Sequence, residues 1–196
     1  MPLRIQEPPQ SAHDTIRSTI EQFAERGMFG TPNLSDADPE QLGLALPHPI
    51  YTLTLEDLVR EPSLRSARLV GWRYLVEHAG SPVAAAEVGV DGTFNQFNEG
   101  PFVRATIEAV QLAEQHPAAR DSSYLVRLIR VPPLYVMALW LNDERGGDDL
   151  IVPMPPTPQY LEANRPYTGD EFASLLAEDA KRRHGNAPDQ RRIPVG

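Results

Sequence analysis

The sequence predicts an α+β fold in which an antiparallel sheet of about five strands packs against helices, preceded by an N-terminal helix and a long proline-rich loop. Apolar and polar residues alternate with period two over residues 69–78, as in a half-buried strand. Residues 124–154 contain three further apolar segments, each short enough to be a strand. Hydrophobic residues make up 41% of the chain, which is sufficient for a buried core.

Composition divides the chain into four segments. Residues 1–10 contain three prolines and predict an extended arm. Residues 11–49 predict one helix followed by an irregular loop, because four prolines interrupt the second part. Residues 50–184 form the predicted single α+β domain. Residues 185–196 combine Gly, Pro and Arg, which is typical of a flexible basic tail.

Three helices are predicted from apolar spacing and from the residues that begin or end helices. The first, over residues 12–26, is followed by Gly27, which suits a C-terminal cap. The second begins at Pro101, since proline is favoured at the first helical position. The third follows Thr168 and Glu171, which have the spacing of a capping box.

The strands are predicted from period-two alternation and from the turn residues that separate them. They cover residues 50–55, 69–78, 83–90, 124–131, 134–141 and 150–152. Apart from the short first strand, their order with the helices is ββαβββα. This order is similar to that of profilin-like domains, including the roadblock type, and the similarity implies an antiparallel sheet flanked by helices.

Composition excludes or disfavours several classes of function. The chain has no cysteine, which excludes disulfides, thiolate metal ligands and cysteine nucleophiles. Its net charge of −9 disfavours nucleic acid as a partner, because phosphate binding requires a positive surface. No segment reaches the roughly 18 apolar residues of a membrane span, and the first ten residues lack the apolar region of a secretory signal. We therefore expect a soluble, cytoplasmic protein without a membrane partner.

The sequence also carries a signature of its source. A single lysine stands against seventeen arginines, and alanine is abundant. This bias is typical of a GC-rich bacterial genome and says nothing about mechanism.

The segment 91–100 is the strongest candidate for a ligand site. It precedes a predicted helix N-terminus, whose free N–H groups suit an anion or a carbonyl oxygen. Its aromatic and amide side chains suit a peptide or a small polar ligand. The candidate ligand-binding residues are Phe94, Asn95, Phe97, Asn98 and Glu99. In the alternative interpretation, Phe94 and Phe97 fill the core while Asn98 caps the helix.

Other chemistry has little support in the sequence. Acidic residues gather between two predicted strands, at Asp143, Glu144, Asp148 and Asp149, but their spacing matches no EF-hand, and a charged hairpin turn explains them. The five histidines are scattered without the spacing of a zinc site. No nucleophile elbow and no glycine-rich phosphate loop is present. The sequence therefore predicts neither a metal nor a cofactor.

Two arginines interrupt an otherwise apolar predicted strand. Arg127 and Arg130 fall on opposite faces if the strand is regular. A buried charge is costly unless it is paired, so carboxylates such as Glu87 or Glu108 are expected partners. In the functional alternative, one of the arginines binds a carboxylate of a ligand.

Three hypotheses about function follow. The first is a non-enzymatic interaction or assembly protein, expected to be a homodimer or to bind another protein through Tyr135, Met137 and Trp140. The second is a binding protein for a small polar ligand at segment 91–100. The third is an enzyme with dispersed acid–base residues, for which the candidates are Tyr74, His78, Glu99 and Asp149.

Overall fold

The structure is a computed structural model that describes residues 3–35, 37–117 and 123–185. Its strands are β1 (Leu3–Arg4), β2 (Leu42–Thr52), β3 (Arg68–His78), β4 (Ser81–Gly89), β5 (Phe94–Asn98), β6 (Tyr124–Val131), β7 (Val136–Asp143), β8 (Leu150–Pro153) and β9 (Tyr167–Thr168). Its helices are α1 (Gln10–Glu25), the single turn α2 (Pro32–Ser35), α3 (Leu55–Arg60), α4 (Phe102–Gln115) and α5 (Gly169–Gly185).

All nine of these strands form one mixed sheet, and eight of them follow the order β5-β4-β3-β2-β6-β7-β8-β9. Strands β2 to β5 are joined by antiparallel pairing, and so are strands β6 to β9. The two antiparallel halves meet where residues 50–52 of β2 run parallel to residues 128–130 of β6, a contact we call the β2–β6 seam. Strand β1 also runs parallel to β6, beside its first residues.

The predicted five-stranded antiparallel sheet is therefore wrong in both size and type. The chain before residue 50 contributes most of β2, although Pro47 and Pro49 indicated a loop. Both prolines are tolerated by position: Pro47 lies in a bulge, and Pro49 precedes the residues that pair with β6. Segment 91–100, predicted as a loop, supplies the edge strand β5.

Helices cover both faces of the sheet. Helix α4 packs on one face, here called the α4 face, with residues such as Leu75 and Ala85 of the first half and Leu128 of the second. Helices α1, α3 and α5 pack on the other, here called the α5 face, against Trp72 and Ile129, among others. Because β6 to β8 are buried on both sides, they read as nearly continuous apolar segments rather than alternating ones.

The three long helices occupy the predicted segments. At the start of α5, the Thr168 hydroxyl accepts a hydrogen bond from the Glu171 N–H at 3.2 Å, which is half of the predicted capping box. The Glu171 carboxylate pairs with Arg165 instead, at 3.0 Å. Within the described ranges, no helix is long and apolar enough to cross a bilayer.

Candidate functional site

The aromatic residues of segment 91–100 are half-buried beside helix α1. A bulge in β5 places Phe94 and Phe97 on the same side of the strand, towards helix α1. The Phe97 ring lies 5.9 Å from the ring of Phe23 and 5.5 Å from that of Phe29, measured between centroids. Both rings therefore pack against other aromatic side chains of the chain, and their role in binding a ligand stays a prediction.

Two polar residues of the segment, Asn98 and Glu99, accept hydrogen bonds from backbone N–H groups. Asn98 accepts a hydrogen bond from the Gly100 N–H at 2.6 Å, which shapes the turn into α4. Glu99 accepts one from the Gly30 N–H at 2.9 Å and so ties this turn to the loop after α1. Asn95 is exposed at the bulge. These contacts explain the residues structurally, and their role in binding a ligand stays a prediction.

The three predicted interface residues do not share one surface. Tyr135 is 80% exposed and projects from a turn with φ of 55°. Met137 is half-buried on the α4 face, whereas Trp140 is only 5% exposed and lies on the α5 face. Of the three, Tyr135 alone is freely available to another molecule.

The candidate acid–base residues are likewise dispersed. Tyr74 is buried under α1, and this burial raises the pKa of its hydroxyl to about 12. His78 ends β3, and Glu99 is engaged as described above. Asp149 is the one of the four that lines the cleft described below.

This cleft opens on the α5 face and has a volume of about 530 Å³. Its walls are the β7–β8 turn, the single turn at residues 64–66, and the first residues of α5. We call it the Arg127 cleft, because Arg127 lies in its lining against Tyr51 and Trp140, whose rings contact each other edge-to-face. Its volume is within the range typical of small-molecule sites.

Strand register brings Arg127 and its two aromatic neighbours together. Arg127 and Trp140 are cross-strand partners in β6 and β7, and Tyr51 lies on the neighbouring strand β2. The guanidinium carbon is 5.0 Å from the centroid of each ring. Within the described ranges, Arg127 forms no ion pair with a carboxylate, and its buried Nε has no hydrogen-bond partner.

Asp149 fixes the wall of the Arg127 cleft. Its carboxylate accepts hydrogen bonds from Trp140 Nε1 at 2.8 Å, from Asn142 Nδ2 at 3.0 Å and from the Asp143 N–H at 2.9 Å. Its carbonyl oxygen accepts the Gly169 N–H at 3.0 Å, which attaches the start of α5 to the same wall. The Trp140 ring beside Arg127 is therefore held in one orientation before any ligand binds.

A second polar cluster lies on the α4 face, and we call it the buried charge network: His48, Arg73, Glu87 and Arg130. Glu87 pairs with Arg130 and lies 3.6 Å from Arg73. Gln96 also donates to Glu87 at 2.8 Å. Arg73 and Glu87 are almost fully buried, and the Arg130 side chain is 20% exposed. The carboxylate partner expected for the two arginines of β6 is thus found for Arg130, and within the described ranges it is not found for Arg127.

Burial sets the protonation of this network. It lowers the pKa of His48 to about 3, with help from the neighbouring Arg73 charge, so His48 is neutral at physiological pH. His48 Nδ1 lies 2.7 Å from the Leu46 carbonyl oxygen, which fixes the ring. Burial also lowers the pKa of Arg73 to about 10, which leaves it charged. The network therefore holds two positive charges and one negative charge.

The Arg127 cleft combines features that the sequence showed only separately. Arg127 was visible as a charge in an apolar strand, and Trp140 as an aromatic residue in the next strand. Their meeting with Tyr51 depends on the β2–β6 seam, for which local periodicity carries no signal. In the described ranges, no three His, Asp or Glu side chains are placed to hold a metal ion.

Comparison with known proteins adds no further constraint on this site. No family model, no curated protein and no solved structure matches the chain.

Proposed function

We propose that the protein binds a small ligand in the Arg127 cleft through an oxyanion group of that ligand. The observation that carries this proposal is a guanidinium packed against a pair of touching aromatic rings, without a carboxylate partner in the described ranges, at the wall of a cleft. Arg127 lies on the opposite face of the sheet from Arg130, as the alternation of residues along the strand predicted.

The geometry of a guanidinium explains why an oxyanion fits. Tyr51 and Trp140 lie against Arg127 through cation–π contacts, which need none of its N–H groups. Because Nε is buried, the N–H groups of the two terminal nitrogens are the donors available for two parallel hydrogen bonds to a carboxylate or phosphate. The aromatic contacts restrict the side chain beforehand, so less conformational entropy is lost on binding.

Thermal unfolding with defined anions tests the proposal. Phosphate, succinate and citrate are compared at matched ionic strength. A ligand that binds only the folded state adds about 2.7 kcal/mol of stability at about 100 times its Kd. We expect at least one anion to raise Tm, and Arg127→Gln to abolish the increase while keeping the fold.

Arg104→Gln is the matched control, because it removes the same charge from an exposed position on α4. It should keep the anion-induced increase in Tm. Equal stabilisation of the wild type and Arg127→Gln would place the anion site elsewhere. Absence of any effect in the wild type would count against the oxyanion ligand.

Self-association through Tyr135 is the second candidate function. The Tyr135 N–H donates to the Pro132 carbonyl oxygen at 3.0 Å, so an exposed aromatic side chain is presented from a fixed turn. We expect the wild type to sediment as a dimer and Tyr135→Glu as a monomer, because the new charge cannot be buried in an apolar contact. A monomeric wild type at all accessible concentrations would refute this candidate.

A further inference from the structure

We infer, on the basis of the oxyanion ligand proposed above, that the ligand of the Arg127 cleft is a small zwitterion, with a carboxylate for Arg127 and an ammonium group for the acidic mouth. The cleft lining carries charges of both signs. Its basic residues are Arg65 and Arg127, and its acidic residues are Asp143, Asp148, Asp149 and Asp170.

The net charge of the lining favours a ligand with both a negative and a positive group over a purely anionic one. Two positive and four negative side chains give the lining a net charge of −2. A purely anionic ligand gains from Arg127 but is repelled by the acidic residues around it. A ligand with a second, positive group is instead attracted by the acidic residues. Repulsion of purely anionic competitors by the same residues is a usual source of specificity.

Three of the four carboxylates have no ion-pair partner among the described residues. Asp149 is occupied by three hydrogen bonds, as described above. Asp143, Asp148 and Asp170 form no ion pair with any residue in the described ranges. Asp148 and Asp170 are exposed, so both can accept hydrogen bonds from an incoming ammonium group without loss of an existing partner.

The β7–β8 turn is built so that Asp143 stays beside these residues. The Asp143 carboxylate accepts the Arg145 N–H at 2.8 Å. Its other oxygen lies only 2.4 Å from the position that a Cβ on Gly147 would occupy. The absence of a side chain at Gly147 therefore gives the Asp143 carboxylate its place over the turn, in the lining of the Arg127 cleft.

Three probes of one chain length test the two charged groups together and singly. The probe γ-aminobutyrate carries both groups, butyrate carries only the carboxylate, and butylamine carries only the ammonium group. Their dissociation constants are measured by calorimetric titration of the full-length protein. We expect γ-aminobutyrate to bind about tenfold more tightly than butyrate, since one charge-assisted hydrogen bond contributes about this much. Arg127→Gln should weaken γ-aminobutyrate and butyrate alike, because both use the same carboxylate contact.

The double variant Asp148→Asn/Asp170→Asn should change the two affinities in opposite directions. Binding of γ-aminobutyrate weakens because its ammonium partners are lost, whereas binding of butyrate strengthens because the repulsion is lost. Both positions are exposed, so the fold should persist in circular dichroism. Glu114→Gln/Glu178→Gln, which removes two exposed charges outside the cleft lining, should leave both affinities unchanged.

The outcomes distinguish this inference from the proposed function. If butyrate binds as tightly as γ-aminobutyrate and depends on Arg127, the oxyanion ligand stands and the zwitterion is refuted. If butylamine binds most tightly, the zwitterion is refuted as well. If γ-aminobutyrate and butyrate both fail to bind, or bind Arg127→Gln as well as the wild type, the zwitterion is refuted. The oxyanion ligand then stands only if phosphate, succinate or citrate raises Tm in the wild type and not in Arg127→Gln.

Discussion

Glu87→Gln is expected to lower the free energy of unfolding by about 3–5 kcal/mol, the usual cost of removing one partner from a buried ion pair. Glu87 is the only carboxylate of the buried charge network, and both Arg73 and Arg130 depend on it. Glutamine keeps the size of the side chain and removes the charge, so no cavity contributes. Equilibrium unfolding in urea measures the change.

A second substitution separates charge compensation from packing. Arg73 is 1% exposed, so without Glu87 its charge has no route to water, whereas Arg130 is partly exposed. Arg73→Met combined with Glu87→Gln removes the buried charge together with its partner and should be more stable than Glu87→Gln alone. The exposed Glu114→Gln should change stability by less than about 0.5 kcal/mol. A cost below about 1 kcal/mol for Glu87→Gln would contradict the assigned role.

His48 is expected to make the protein less stable as the pH falls below 6.5. The folded protein keeps His48 neutral, because burial lowers its pKa to about 3, whereas the unfolded chain takes up a proton near 6.5. Below that pH the unfolded state binds more protons, so the free energy of unfolding decreases with acidification. The loss is about 1.4 kcal/mol per pH unit and reaches about 2.5 kcal/mol between pH 7 and pH 4.5.

Urea unfolding of the wild type and of His48→Gln between these two pH values isolates the effect. As the pH falls from 7 to 4.5, the free energy of unfolding should decrease by about 2.5 kcal/mol more for the wild type than for His48→Gln. Above pH 7 the two free energies should change with pH at the same rate. His184→Gln serves as the control, because His184 is exposed at the end of α5 and should not alter the slope. Parallel curves for the wild type and His48→Gln would show that His48 takes up its proton at the same pH in the folded and the unfolded protein, which contradicts the prediction.

The helices and the second half of the sheet could be predicted because their signals are local. Thr168 and Pro101 begin helices through short-range preferences, and the turn residues between β7 and β8 separate two apolar strands. The opposite orientation of Arg127 and Arg130 follows from strand alternation alone. Local patterns therefore predicted the type and the approximate extent of these elements.

Strand β5 and residues 42–49 of β2 were missed because their sequences contradict ordinary strand preferences. The two prolines of β2 are tolerated only because one lies in a bulge and the other before the β2–β6 seam. In β5, the bulge places Phe94 and Phe97 on one side, which breaks the period-two pattern. The Arg127 cleft could not be predicted because Tyr51, Arg127 and Asp149 meet only through the tertiary arrangement.

The β2–β6 seam has a consequence for how the chain reaches its native state. It pairs positions 78 residues apart, such as Ile50 with Leu128, whereas β3 and β4 pair across a turn of two residues. Hairpins close in about 1–10 μs, but long-range strand pairing must first overcome a larger loop-closure entropy. The two antiparallel halves are therefore expected to form early, and their docking along three residue pairs limits the rate of folding.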